Sequence, residues 1–209
     1  MSSEDWLVDT RASYDTVAES YAEIVRDLLE QTPYERAMLD VFAREVGGRG
    51  LIADVGCGSG RIAGYLQGAG ADVLGIDLSP AMIEVARREH PGVRFEVGSM
   101  TEPALADDSL TGLVAWYSLI HIPDHQLGFV LEQFRRVLRP GCPLLVGFHV
   151  GDETRLKTSG YGGHPMNLHV HLREPAQMAA WLGDAGFAVE AQLTLSSAES
   201  KLGGVLVAR

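Results

Sequence analysis

Residues 53–65, ADVGCGSGRIAGY, place an acid, Asp54, just ahead of three glycines at alternate positions, Gly56, Gly58 and Gly60, with Arg61 behind them. Glycines let backbone approach a ligand with no Cβ in the way. A loop of this kind after an apolar run holds a nucleotide, and three chemistries compete for it: a phosphate donor, a nicotinamide and a sulfonium methyl donor. A phosphate-cradling loop needs Gly-Lys-Ser/Thr after its glycines, and GSGRIA stands here instead, so that chemistry is excluded. A dinucleotide fingerprint G-x-G-x-x-G/A can be placed on Gly58, Gly60 and Ala63 and stays open as an alternative. A second acid, Asp77, follows Gly60 by 17 residues. A carboxylate there can take a vicinal diol through two charge-assisted hydrogen bonds, or cap the turn before Ser79–Pro80.

Other reactive side chains lie further along. His121, in SLIHIPD, is a candidate general base, or a histidine that shapes its own loop. Tyr14 and Tyr21 are two helical turns apart and share a face, for pocket or for core. The stretch 149–175 carries four of the seven histidines, His149, His164, His169 and His171. His169 and His171 would face one side of a strand, but no Cys or HExxH pattern supports a metal site, and none is expected. Tyr161, Met166 and Leu168 offer an apolar lining for a small organic ligand. Cys57 and Cys142 form no zinc spacing and no disulfide framework, and both read as buried thiols.

The elements that must position these groups alternate. Helical spacing of Tyr14, Val17, Tyr21, Ile24 and Leu28 predicts a helix over about 9–30, and Pro33 opens a second one to Val46. Strands follow at 51–55, 72–77, 93–97, 110–117 and 143–148, separated by helices at 61–67, from Pro80 to Arg88, and after Asp124 as cap. The last helix puts Leu127, Leu131, Phe134 and Leu138 on its inner face. Strands alternating with helices imply a parallel sheet covered on both faces. After a helix from Pro175 to Ala185, FAVEAQLTL and GGVLVAR are joined by too short a stretch for a crossover, so they should pair antiparallel. In an open parallel sheet the ligand site lies beyond the strands' carboxyl ends, where the loop at 56–60 leaves the first strand. The segment 149–175 is long for a plain connection and reads as a lid over that site.

DVGCGSG resembles motif I of the Rossmann-like, class I S-adenosylmethionine-dependent methyltransferases, and GIDLSPAMIEVAR, VGSM, AWYSLIHIPD and LRPGC follow in that family's order. YDTVAESYAE is similar to the capping segment of members that act on small molecules. The resemblance covers most of the chain. It implies an α/β fold with a mostly parallel seven-stranded sheet and a terminal antiparallel strand. It also implies one methyltransferase domain over 1–209, with a helical cap over 1–46 and a substrate lid over 149–175. Asp77 would take both ribose hydroxyls, with Leu78, Ser99 and Met100 on the adenine side. Many members have an acid where Ser99 stands; Ser99 offers a hydroxyl without charge. Gly56, Gly58 and Gly60 would approach the cofactor, Asp54 would offset its cationic amino-acid end, and Arg61 would hold a carboxylate. Tyr21 would reach the methionine end, and Trp116 also falls to the cofactor. Tyr14, Tyr117, His149, Tyr161 and His169 fall to the acceptor, with His121 as its base. The reaction implied is in-line displacement onto O, N or S of a small molecule, with S-adenosylhomocysteine as product. A nicotinamide oxidoreductase, or a cofactor-binding protein without methyl transfer, are the alternatives.

The 209 residues suit one domain with a sizeable core, and 46% apolar against 22% charged residues is a soluble composition. A net charge of −11 with no basic stripe disfavours nucleic acid as partner. No apolar run is long enough to span a bilayer, and the acidic MSSEDWLVDT has no signal-peptide pattern, so a cytoplasmic setting is expected. The oligomeric state is not legible.

Overall fold

The computed structural model describes residues 5–195 and 203–209. The short polar stretch expected between the last two strands, and the first four residues, lie outside the described residues.

The chain opens with two helices, α1 (Asp5–Val25) and α2 (Pro33–Val46). In α1 the packed face is Val17, Ala18, Ala22 and Val25. Ile24 and Leu28, expected on that face, are instead exposed. The helix ends at Val25, earlier than its apolar spacing predicts. Tighter i to i+3 bonds follow, Leu28 N–H to the Val25 carbonyl and Gln31 N–H to that of Leu28, and they rotate Leu29 inward in their place. Pro33 occupies the first turn of α2, where its missing N–H costs nothing.

The alternating part follows: β1 (Leu51–Val55), α3 (Arg61–Gly68), β2 (Asp72–Asp77), α4 (Pro80–Glu89), β3 (Arg94–Val97), β4 (Gly112–Trp116), α5 (Asp124–Val137) and β5 (Leu144–His149). Met82, Val85 and Ala86 of α4 are buried, as are Leu127, Leu131, Phe134 and Leu138 along and just past α5. Asp124 is not the cap of α5. Pro123 precedes the helix, and the Asp124 carboxylate turns to Arg173. The last elements are α6 (Pro175–Asp184), β8 (Val189–Leu195) and β9 (Gly203–Ala208).

Seven strands form one sheet in the order β3-β2-β1-β4-β5-β9-β8. The first five are parallel, and β9 runs antiparallel to both β5 and β8. β2 and β4 flank β1, so the connections leave β1 in opposite directions and open a crevice at the carboxyl ends of β1 and β4. Buried clusters cover both faces. The fold class expected from the sequence is the one observed.

Residues 149–175 are an ordered hairpin, β6 (Thr154–Gly160) and β7 (His164–His171), forming a separate two-stranded sheet. β7 lies along α1, where the Asn167 N–H donates to Ser13 Oγ at 3.0 Å and its side chain to Asp9 at 2.8 Å. The hairpin thus backs α1, and α1 is the element that covers the crevice. Among the described residues no helix is long and apolar enough to cross a membrane.

Candidate active site

The loop after β1 takes its shape from left-handed backbone at Gly56, Gly58 and Gly60, with φ of 75°, 55° and 81°. Space is tight at two of them. A Cβ on Gly56 would lie 2.3 Å from Ser118 Cβ, and one on Gly60 would lie 2.7 Å from the Phe95 ring. Gly60 therefore serves packing against β3 and α4, and Gly56 serves the close approach of the loop after β4. At Gly58 a Cβ would make ordinary contact with Tyr21, at 3.5 Å, so there the backbone angle is what demands glycine.

Asp77 closes this loop from β2. One carboxylate oxygen accepts from the Gly58 N–H at 2.7 Å and the other from the Ser79 N–H at 2.9 Å. Burial raises the Asp77 pKa, and the amides of Ser79 and Gly58 work against that rise. Ser79 caps α4, and its hydroxyl donates to Asp15 of α1 at 2.6 Å; Asp15 also accepts the Ala81 N–H. The first helix is thereby latched to the start of α4, next to Asp77.

A cleft of about 690 Å³, open mouth included, runs along these groups. Its walls include Gly56, Gly58, Asp77, Leu78, Ser99, Met100, Trp116, Tyr117, Tyr14, Tyr21 and His121. The Ser99 hydroxyl is engaged locally with Thr101 at 2.7 Å. Behind the loop a smaller cavity of about 280 Å³ shares Tyr21, Gly56 and Trp116 with the cleft and adds Asp54 and Arg61. Asp54 is 1% exposed, and neither carboxylate oxygen has a hydrogen-bond partner among the described residues. Burial lifts its pKa to about 7, and the nearby Ala63 amide offsets only part of that rise. A carboxylate so buried, with only the Ala63 amide near it, carries a desolvation cost that a cationic group in the adjoining cavity would offset.

Across the cleft, Tyr117 holds a left-handed backbone, φ 53°, rare for a residue with a Cβ. Its hydroxyl donates to the buried Glu35 of α2, and burial raises its pKa. Ser118 ties the same turn to β1 by donating to the Val55 carbonyl at 2.7 Å. His121 ends a short 3₁₀ turn, Leu119–His121, and is buried. Its Nδ1 lies 2.9 Å from the His169 carbonyl and its Nε2 2.7 Å from the Tyr14 hydroxyl. Desolvation lowers its pKa to about 4, so the ring is neutral at pH 7.

The turn is clamped by Arg173, 3% exposed, at the end of the hairpin. Its guanidinium donates to the Leu119 carbonyl at 2.8 Å, to the Ile122 carbonyl and to Asp124 at 2.9 Å, and its own N–H donates to the His149 carbonyl.

The acceptor-side residues nominated from the sequence are thus only partly brought together. Tyr14, Tyr117 and His121 line the cleft. Tyr161 packs behind Tyr21 at 4.9 Å between ring centroids, and His149 packs beside Tyr117 at the same separation. His169 reaches the site through its carbonyl, while its ring stacks on His171. Among the described residues no three His, Cys, Asp or Glu side chains gather as a metal site would require. Sequence reasoning missed Trp6, Leu7, Thr10 and Arg11, which line the outer cleft, and the two supports Glu35 and Arg173. The heptad relation of Leu7 to Tyr14 could have found the first group. Nothing in the spacing marks Glu35 or Arg173.

Residues 52–141 match a family model described as a methyltransferase domain. A probable S-adenosylmethionine-dependent methyltransferase of Mycolicibacterium smegmatis is 32% identical over 150 residues, 71% of this chain and 56% of that protein. The chain spans 60%, 39% and 56% of the lengths of the first curated relatives it matches. Among solved structures, the magnesium protoporphyrin IX methyltransferase of Synechocystis PCC 6803 with bound S-adenosylmethionine superposes with a TM-score of 0.76 at 18% identity, covering 100% of this chain and 98% of that one. The 1,6-didemethyltoxoflavin-N1-methyltransferase of Burkholderia thailandensis gives 0.75 at 18% identity, over 100% and 90% of the two chains. At such identities these two likenesses speak for the fold.

Proposed function

We propose that this chain, which belongs to the class I S-adenosylmethionine-dependent methyltransferases, transfers the methyl group of S-adenosylmethionine to a small organic acceptor bound under α1 and the hairpin. The observation that carries this is the buried Asp54 carboxylate on the small cavity behind the glycine loop, which shares Tyr21, Gly56 and Trp116 with the cleft that Asp77 lines. A methyl donor with a vicinal diol at one end and an ammonium at the other needs an acid at each place, and it carries no phosphate that would need a loop lysine. Asp77 holds the diol, with Leu78, Ser99 and Met100 along the adenine. Asp54 faces the ammonium and Arg61 the carboxylate. Gly56 and Gly58 let the chain approach, and Tyr21 and Trp116 cover the amino-acid end.

The donor supplies a methyl already activated on sulfur, so the protein's work is alignment and exclusion of water, which contribute several kcal/mol. Residues 1–46 act as a cap and 149–175 as a lid that sets acceptor choice through it: α1 lines the cleft with Trp6, Leu7, Thr10, Arg11 and Tyr14, and the hairpin backs α1 through Asn167 on Ser13. Tyr14 and Tyr117 contact the acceptor; Tyr161, His149 and His169 support them. The acceptors named for the two structural neighbours, a didemethyltoxoflavin and a magnesium protoporphyrin, are small organic molecules and support an acceptor of that class.

Calorimetric titration with S-adenosylhomocysteine and with NAD tests the reading. Binding of the first and not the second is expected, and the reverse would point to a nicotinamide enzyme. Transfer of labelled methyl to any member of an acceptor panel separates an enzyme from a cofactor-binding protein.

A further inference from the structure

We propose that the hydroxyl oxygen of Tyr14, and not the imidazole of His121 directly, takes the acceptor's proton, with His121 as the terminal base behind it, and that the acceptor is therefore a neutral protic group: an aromatic or enolic hydroxyl or a heteroaromatic N–H. The inference rests on the methyltransferase reading of the cleft.

The tautomer of His121 is set by its partners. A carbonyl oxygen only accepts, so Nδ1 carries the proton and donates it to the His169 carbonyl at 2.9 Å. Nε2 then holds a lone pair, and the Tyr14 hydroxyl at 2.7 Å donates to it. Both ring nitrogens are occupied, so although the ring lines the cleft no acceptor hydrogen-bonds to the imidazole without displacing Tyr14. Tyr14 lines the cleft, and its O–H points inward to His121, which leaves lone-pair density on its oxygen for an incoming donor. Tyr161, in the turn between β6 and β7, stands on the hairpin side of this pair, its ring 4.9 Å from that of Tyr21. Should Tyr14 turn its proton outward to greet an anion, a buried imidazole nitrogen would be orphaned.

This arrangement selects against acceptors already ionised. A carboxylate or thiolate would face an oxygen lone pair. Among the described residues Arg11 is the cation in the cleft lining, 54% exposed and 3.7 Å from Asp15; Lys157 lies outside that lining, its Nζ 3.7 Å over the Tyr161 ring. The other walls are Trp6, Leu7, Thr10 and Ile122, which suit a flat, uncharged molecule. An acceptor hydroxyl instead donates to Tyr14 and keeps an oxygen lone pair free to react, while a heteroaromatic N–H supplies the electron pair of its N–H bond as the proton leaves to Tyr14.

The step balances. The acceptor's electron pair forms the new bond to the methyl carbon, and the carbon–sulfur bond breaks with its electron pair left on sulfur. The acceptor's proton passes to Tyr14 Oη as the Tyr14 proton passes to His121 Nε2. The positive charge lost from the sulfonium reappears on an imidazolium whose Nδ1–H stays on the His169 carbonyl. No net charge enters or leaves the closed site during transfer.

Two measurements on the full chain decide it. In ¹⁵N-imidazole NMR of the enzyme saturated with S-adenosylhomocysteine, His121 should appear at pH 7 as the neutral Nδ1–H tautomer, and its Nε2 signal should shift in Tyr14→Phe. An Nε2–H tautomer, or a charged ring, would overturn the relay even if no variant folds. With labelled methyl donor, substituted phenols and N-heteroaromatics should be methylated in preference to matched benzoates and thiophenols. Tyr14→Phe should lower that turnover about 10²–10⁴-fold, with S-adenosylhomocysteine affinity kept within about twofold. Comparable transfer to benzoates or thiophenols, or phenol turnover indifferent to Tyr14→Phe, would overturn the proposal and leave the methyltransferase reading standing. Failure of the wild-type chain to bind S-adenosylhomocysteine would remove that reading itself.

Discussion

The two halves of the cleft are built on different scales. The half proposed for the cofactor comes from neighbouring strand ends: the Gly58 N–H meets an Asp77 carboxylate 19 residues away, and the loop amides of Gly56 and Cys57 rest on the Ile76 carbonyl. The half proposed for the acceptor is assembled from afar. Tyr14 and His121 are 107 residues apart, His121 and His169 are 48 apart, and the hairpin reaches Ser13 across 154. The first half is backbone shaped by glycine and fixed by register. The second is side chains held by side chains. One half can hold a constant ligand, while the other can be retuned without unmaking it.

Breaking the cofactor half should have the largest effect. Gly56→Val puts branched carbon where Ser118 Cβ already lies at 2.3 Å, on backbone of positive φ. Strain of about 1–3 kcal/mol from the backbone alone, with the clash added, should lower S-adenosylhomocysteine affinity by roughly a hundredfold or more in calorimetry. Near-normal affinity would show that the loop does not bear on the ligand. Asp77→Ala should follow, weakening the same affinity by one to three orders of magnitude through lost charge-assisted bonds of about 1.5–3 kcal/mol. Its thermal midpoint should also drop modestly, because the Gly58 and Ser79 amides lose their acceptor.

The opposite pattern is expected on the acceptor side. His121→Ala should cut turnover of a protic acceptor about 10²–10⁴-fold while calorimetric affinity for S-adenosylhomocysteine stays put. Equal losses in both quantities would erase the contrast between the halves. Arg173→Met should act more weakly and in the same direction, roughly tenfold on turnover, since it frees the turn that carries His121 without touching the cleft. Arg173→Lys, which keeps a charge but not the planar fork, should recover part of that loss.

The smallest effect is a pH dependence confined to the cofactor half. Asp54 has a pKa of about 7 in the folded chain and an ordinary value near 3.8 when unfolded, so the folded state holds the extra proton between those limits. Folding stability of the ligand-free chain should therefore decline as pH rises from about 4 to 7. Because a cationic ligand end favours the carboxylate, S-adenosylhomocysteine affinity should rise over pH 5.5–7.5, by roughly tenfold, with proton release. Asp54→Asn should flatten both trends, and titrations in buffers of different ionisation enthalpy would detect the proton.

Much of this was legible in the chain. DVGCGSG and Asp77 sit within one strand–helix–strand unit, so spacing alone places them at one switch point, and periodicity separates strand from helix in the same stretch. The limits show at particular residues. The apolar spacing of α1 continues through Ile24 and Leu28, yet both are exposed, because what packs is decided by the hairpin and α4 and not by the helix itself. Asp124 has the chemistry of a cap, but Arg173 competes for it. Of the two histidines of 149–175 assigned to the acceptor, His149 packs beside Tyr117, and His169 meets the site with its backbone carbonyl, which every residue carries.

The sequence by itself determined the strand order's driving pattern, the glycine loop and the acid that closes it, because those depend on φ, on Cβ and on contacts within a few tens of residues. Only the tertiary structure decided that His121 is sealed between Tyr14 and a hairpin carbonyl, that Glu35 holds a strained Tyr117, and that Arg173 clamps the turn between them. Those contacts join groups that are far apart in sequence. Their energies come from burial and from unsatisfied partners, which no local spacing records.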